Sequence, residues 1–225
     1  GYLPEAVAFS ENLSGRQVVR FFARARGVSR ERAEEVLSRV GLSGAAGRAV
    51  RGYSRGMRQR LGLGVAILAE PELLILDEPT GGLDQEGLGL LWSLFDEWRS
   101  AGRTVIVSTH DLALIERRAD LVHVLSAGRV KASGSPDVLR RLASLPVRVR
   151  LALHSADEAE VVAGLLSQHL GIPVDLGDRE VGLSVASADL LGVMKTVEQR
   201  RDAILDLRVE EPGLDDVYQR LLELS

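Results

Sequence analysis

The sequence contains no cysteine. Disulfides and thiolate metal sites are therefore excluded, and a reducing cytosolic setting is permitted. Aromatic residues make up only 4% of the chain, too few for base-stacking platforms. No apolar run approaches the roughly 18 residues of a membrane span. No charged-then-apolar signal segment opens the chain. Positive charge is not in excess either. Lys and Arg number 28 against 32 Asp and Glu, a net of −4, which counts against bulk nucleic-acid binding through phosphates. Internal repeats and low-complexity segments are also missing.

What remains is an ordinary globular composition. The 225 residues are 45% hydrophobic and 27% charged, enough for one large domain or two modest ones. The first residue is glycine, and Gly1-Tyr2-Leu3-Pro4-Glu5 reads as a strand entering a turn rather than a natural start.

The most informative stretch is Leu73-Leu74-Ile75-Leu76-Asp77-Glu78-Pro79-Thr80. Its apolar run predicts a strand buried on both faces of a parallel sheet. Pro79 ends it, because proline cannot donate to the ladder. Asp77 and Glu78 then fall at the strand's carboxyl end, where open α/β sheets place ligands. Adjacent carboxylates there can hold a divalent cation and act on a water or substrate proton. A solvated Asp-Glu-Pro turn is the plainer alternative.

Helix signals flank this strand. Ser14 with Gln17 forms a candidate capping box, and Val18, Val19, Phe22 and Ala25 share a face. Gly27 stops that helix. Ser29 caps a second, in which Ala33, Val36, Leu37 and Val40 keep the 3.6 period. Ser54 starts a third, with Leu61, Val65 and Leu68 on its apolar face. Leu88, Leu91, Phe95 and Trp98 form a stripe after the Gly81–Asp84 loop. A second buried strand, from Thr104, ends at His110, and a short helix is expected over 111–118. A strand at 121–125 turns through Ala127-Gly128 into another at 130–132, and Ser135-Pro136 opens a helix. This alternation predicts a mostly parallel sheet covered by helices.

Ser144-Leu145-Pro146 reads as a boundary. Beyond it Val147, Val149, Leu151 and Leu153 alternate with polar residues, giving a strand with one wet face. Later elements follow the order βαββαβ, which fits a small ferredoxin-like module. A last helix follows Gly213.

Ser54-Arg55-Gly56-Met57 at a helix start is a possible phosphate site. Its amides are unpaired, the helix dipole favours anions, and Gly56 allows close approach. A capped helix with solvated arginines, or a basic patch, would leave the same letters.

Taken in order, Ser54–Met57, Asp77-Glu78, Gly82-Leu83-Asp84 and His110 resemble the nucleotide-binding domain of ABC transporters, over Gly1 to about Leu142. The implied fold is α/β: an N-terminally truncated P-loop NTPase-like (ABC) domain over 1–145, then the small α+β domain over 146–225. By that resemblance Asp77 is the Walker B aspartate that holds Mg²⁺, and Glu78 is the general base. His110 is the switch histidine that contacts the γ-phosphate. Asp84 is the D-loop aspartate at the dimer interface. Tyr53-Ser54-Arg55-Gly56-Met57 takes the place of the signature loop, which caps ATP held by the opposite subunit. Glu5 stands at the Q-loop position, able to face Mg²⁺ but unable to donate as an amide does. Arg55 and Met57 depart from the usual signature. Leu13-Ser14-Gly15-Arg16-Gln17 imitates it by letters, but lies too far upstream and reads as a helix cap.

No Gly-x-x-x-x-Gly-Lys-Ser/Thr occurs anywhere, so the phosphate-cradling P-loop is missing. The resemblance makes truncation before Gly1 the simplest account, with this chain alone inactive. It also implies ATP and Mg²⁺ as cofactors, a homodimer or paired ABC ATPase, a transmembrane permease partner, no nucleic acid, and a cytoplasmic position at the inner face of the cell membrane. Gly1–Glu5, Tyr53–Arg60 and Glu211–Tyr218 are similar to ABC-2-type exporter ATPases, and Gly1–Glu5 with Val7–Phe9 and Asn12–Arg16 is especially similar to the ATPases of nitrous-oxide-reductase maturation, a copper-enzyme system. A lipid, polysaccharide or drug exporter, or a non-catalytic scaffold that lost its P-loop, are the alternatives.

Overall fold

The computed structural model describes residues 1–112, 116 and 118–223. The helix expected over 111–118 falls mostly outside the described residues. Two compact units emerge, Gly1–His110 and Asp111–Ser225.

The first unit is a parallel sheet backed by helices. Its strands are β1 (Tyr2–Leu3), β2 (Leu73–Asp77) and β3 (Thr104–Ser108), in the order β1-β2-β3. Register aligns Leu3 with Leu76 and Asp77 with Ser108. Parallel pairing puts all three carboxyl ends on one edge, so β2 delivers Asp77 between the chain leaving β1 and the chain leaving β3. The helices are α1 (Gly15–Ala25), α2 (Arg30–Arg39), α3 (Arg55–Ile67) and α4 (Gln85–Ser100).

Local sequence explains where these helices start and stop. Ser14 and Gln17 close a reciprocal capping box on α1, so the Leu13–Gln17 stretch is a cap, as expected. Ser29, Ser54 and Asp84 each accept from the amide three residues on, which satisfies a donor the helix cannot pair. After α2, Gly41 adopts φ +68°, and Leu42 N–H reaches Leu37 O at 2.8 Å. That bond closes a Schellman motif, which requires a left-handed residue that glycine supplies without strain.

Val18, Val19, Val36, Leu37, Leu61, Ile67, Leu74, Leu76, Leu91 and Trp98 build one core. Each fully buried Val or Leu contributes about 1.5–3 kcal/mol relative to exposure. Trp98 meets its polar requirement by donating from Nε1 to Pro71 O at 3.0 Å. Ala25 is exposed and Ala23 takes its expected core place.

One expectation fails. Strand β2 alternates: Leu74 and Leu76 are buried, whereas Leu73 and Ile75 are each 41% exposed, and Ile106 of β3 is 51% exposed. All four helices contribute to the core on the Leu74–Leu76 face.

The second unit holds two cores. Among the described residues the strand Val122–Ser126 pairs antiparallel with Arg129–Gly134. Its turn places Ala127 at φ +48° and Gly128 at φ +73°, the conformation of a tight hairpin turn. Helix Pro136–Ala143 and helix Leu214–Glu223 pack with this hairpin around Val124, Leu139, Leu214 and Val217. The C-terminal helix shares apolar surface with residues 122–143.

The remaining strands, Val147–Leu153, Val174–Leu176, Glu180–Val185 and Ile204–Glu210, form a four-stranded antiparallel sheet. In chain order they lie second, third, first, fourth across it. Helices Ala156–Leu170 and Leu190–Gln199 supply Val162, Leu166 and Val193 to its core, giving the βαββαβ order.

Candidate functional site

The site grows from the carboxyl edge of the parallel sheet. Asp77 is the last residue of β2, and one of its carboxylate oxygens accepts from the Ser108 hydroxyl. Glu78 follows with φ +45°, a left-handed backbone that a side-chain-bearing residue adopts only when its surroundings enforce it. Its N–H is pinned to Ser108 O at 3.0 Å. The turn swings the Glu78 carboxylate toward the chain leaving β3. There Oε1 accepts from His110 N–H at 3.0 Å and lies 2.7 Å from His110 Nδ1, while Oε2 lies 3.4 Å from Thr109 Oγ1. The Glu78 side chain is 21% exposed and that of His110 89%. A carboxylate oriented by an imidazole at a strand edge, with the imidazole open to solvent, can polarise a water and present a second polar group to the same reactant.

The start of α3 closes on this turn. Ser54 Oγ accepts from Met57 N–H at 3.1 Å. Among the described residues nothing accepts from the Arg55 and Gly56 amides, and no acidic residue occupies the first turn. That leaves a helix N-terminus suited to a phosphate. A Cβ on Gly56 would stand 2.6 Å from Gly82 O, so only glycine permits this approach. Gly82 has φ +77°, and Arg55 lies along it: a Cβ there would meet Arg55 Cγ and Cδ at 2.7 Å. Asp84 accepts from Gly87 N–H at 2.8 Å as the cap of α4, so its carboxylate is already engaged locally.

The structure brings Asp77, Glu78 and His110 to one edge, and Arg55 and Gly56 against the Gly81–Gly82 loop. Glu5 lies two residues beyond β1, exposed, on the same edge. Among the described residues no group of three or more His, Asp or Glu side chains converges on a metal. The sequence reading missed three participants: Ser108, Thr109 and Gln59. The buried Gln59 side chain donates to Glu78 O and Pro79 O, each at 3.4 Å.

A profile of the family described as ABC transporter matches residues 1–81. A daunorubicin resistance ATP-binding protein from Streptomyces coeruleorubidus is 34% identical over 227 residues, spanning 98% of this chain and 71% of that protein. A daunorubicin/doxorubicin resistance ATP-binding protein from Streptomyces peucetius is 33% identical, over 94% of this chain and 66% of its own length. A solved structure titled as the ATP-binding subunit of an ABC transporter superposes with a TM-score of 0.58 at 34% identity, covering 63% of this chain and 60% of that one. The chain belongs to the ABC transporter ATP-binding protein family.

Proposed function

We propose that this chain is the ATP-hydrolysing part of an ABC exporter whose cargo is a drug-like antibiotic. The observation that carries the hydrolytic reading is the Glu78 carboxylate held by His110 beside Asp77 at the sheet edge. Glu78 serves as general base toward the attacking water, and His110 orients that carboxylate and meets the terminal phosphate. Asp77 with the Ser108 hydroxyl offers hard oxygen donors of the kind Mg²⁺ accepts alongside nucleotide phosphates and water. Bound Mg²⁺ neutralises charge on the transferring phosphoryl group. Glu5, two residues beyond β1, is the second candidate for that ion.

Ser54, Arg55, Gly56 and Met57 present a helix N-terminus to the phosphate of a nucleotide held by a second subunit, with Asp84 at that junction. A homodimer or a paired ATPase supplies the second copy, and a transmembrane permease receives the motion. No helix among the described residues is long and apolar enough to cross a membrane, which suits a subunit that docks on a separate permease at the inner face of the cell membrane. The antiparallel βαββαβ part we take as a ferredoxin-like docking or regulatory module.

The names of the relatives favour drug cargo over copper-enzyme maturation. Two methionines, four histidines and no cysteine give the chain little to hold copper with. The test is accumulation of daunorubicin in source cells with and without the protein. Lower accumulation in cells that have it is expected. Equal accumulation overturns the drug reading, and loss of a copper enzyme's activity on deletion would point to the maturation role.

A further inference from the structure

We infer that Gln59 is a positioning residue for Glu78, an inference that rests on the hydrolytic reading above. Gln59 and Thr196 are the two buried polar residues among those described, 5% and 1% exposed. A buried amide is costly unless its polar atoms are engaged. Both neighbours of Gln59 Nε2 are acceptors, the main-chain carbonyls of Glu78 and Pro79. The side chain therefore turns its NH₂ end into the carboxylate turn. Glu78 O also accepts from Gly81 N–H at 3.1 Å.

The Glu78 residue is thus held from two sides. Its N–H is tied to β3 through Ser108 O, and its carbonyl is tied to α3 through Gln59. Between those anchors the backbone sits at φ +45°, the conformation that aims the carboxylate at His110. Remove the Gln59 donor and the peptide is free to relax toward ordinary backbone values, carrying the carboxylate off its line. Gln59 also lies in the helix whose first turn carries Ser54–Met57. It thereby links the helix that carries the phosphate-facing turn to the Glu78 peptide.

The test uses the native protein with Gln59→Met, which keeps length and volume but not the donor, and Gln59→Glu, which keeps the shape. Two readouts are taken: steady-state ATP turnover, and hydrogen exchange at the His110 and Gly81 amides, which bond to Glu78. Both variants should lose about ten- to a hundredfold in kcat with ATP KM changed less than about twofold. Both amides should exchange faster while core amides of α2 keep native protection. Native kcat in a folded Gln59→Met protein with native exchange overturns the inference. So does a rise in KM at unchanged kcat, which would make Gln59 a binding residue. If the native protein shows no ATP turnover, the hydrolytic reading falls. The exchange readout still decides whether Gln59 holds the Glu78 turn.

Discussion

Replacing Gly56 by alanine tests the closest approach in the site. The added Cβ would stand 2.6 Å from Gly82 O, about 0.8 Å inside the 3.4 Å at which ordinary contact begins. The obstacle is backbone, and Gly82 is itself at φ +77° with Arg55 packed along it, so neither loop can yield alone. Overpacking of this kind costs about 1–3 kcal/mol. Alanine returns about 0.5–1 kcal/mol through helix propensity. The net is then a loss of up to about 2.5 kcal/mol, which at a urea m-value of about 2 kcal/mol/M lowers the midpoint by up to about 1 M. Gly89→Ala is the control, because a Cβ there meets nothing within 4 Å on an exposed face of α4. It should raise the midpoint by a few tenths of a molar, roughly. Urea unfolding followed by Trp92 and Trp98 fluorescence compares the two. A Gly56→Ala midpoint that rises like that of Gly89→Ala refutes the close approach of the two loops.

Other outcomes follow from the same contacts. Ser54→Ala removes the side-chain acceptor of α3 and should cost about 1 kcal/mol in the same unfolding assay. Glu34 ties α1 to α2 through Arg16 and Arg20. Burial raises its carboxyl, but hydrogen bonds and charge from both arginines outweigh this and hold it below its ordinary value of 4.5. A lowered folded-state value means the cluster's contribution is complete above pH 4.5. It is lost as pH falls through the folded value. The stability difference between native and Glu34→Gln proteins, measured by urea unfolding, should therefore shrink from pH 7 toward about pH 3. These 225 residues hold no P-loop sequence, so calorimetry on this chain alone should find ATP binding weaker than micromolar.

Local features were the most legible in the sequence. Ser14, Ser29, Ser54 and Pro136 mark helix starts because a cap depends on three or four adjacent residues, and the structure places a helix at each. The Asp77-Glu78 strand end was legible because an apolar run halted by proline has few other solutions. What escaped depended on distant chain. The faces of β2 depend on which elements cover the sheet, which the strand does not encode. The packing of helix Leu214–Glu223 with helix Pro136–Ala143 joins segments some 70 residues apart. Gln59 left a faint trace: a polar residue in a helix whose residues Leu61 to Ile67 are buried. The left-handed turn at Glu78 left none, since glutamate has no preference for it.

The central claim is that Glu78 is the base for ATP hydrolysis. Its most direct test is Mg²⁺-dependent ATP turnover and nucleotide binding by the native protein and by Glu78→Gln. The amide keeps size and shape but cannot take a proton. Turnover should fall by about 10²–10⁴-fold, the range of general-base contributions, while nucleotide affinity stays within about twofold. Undiminished turnover in Glu78→Gln, with the variant folded and binding nucleotide, would contradict the account.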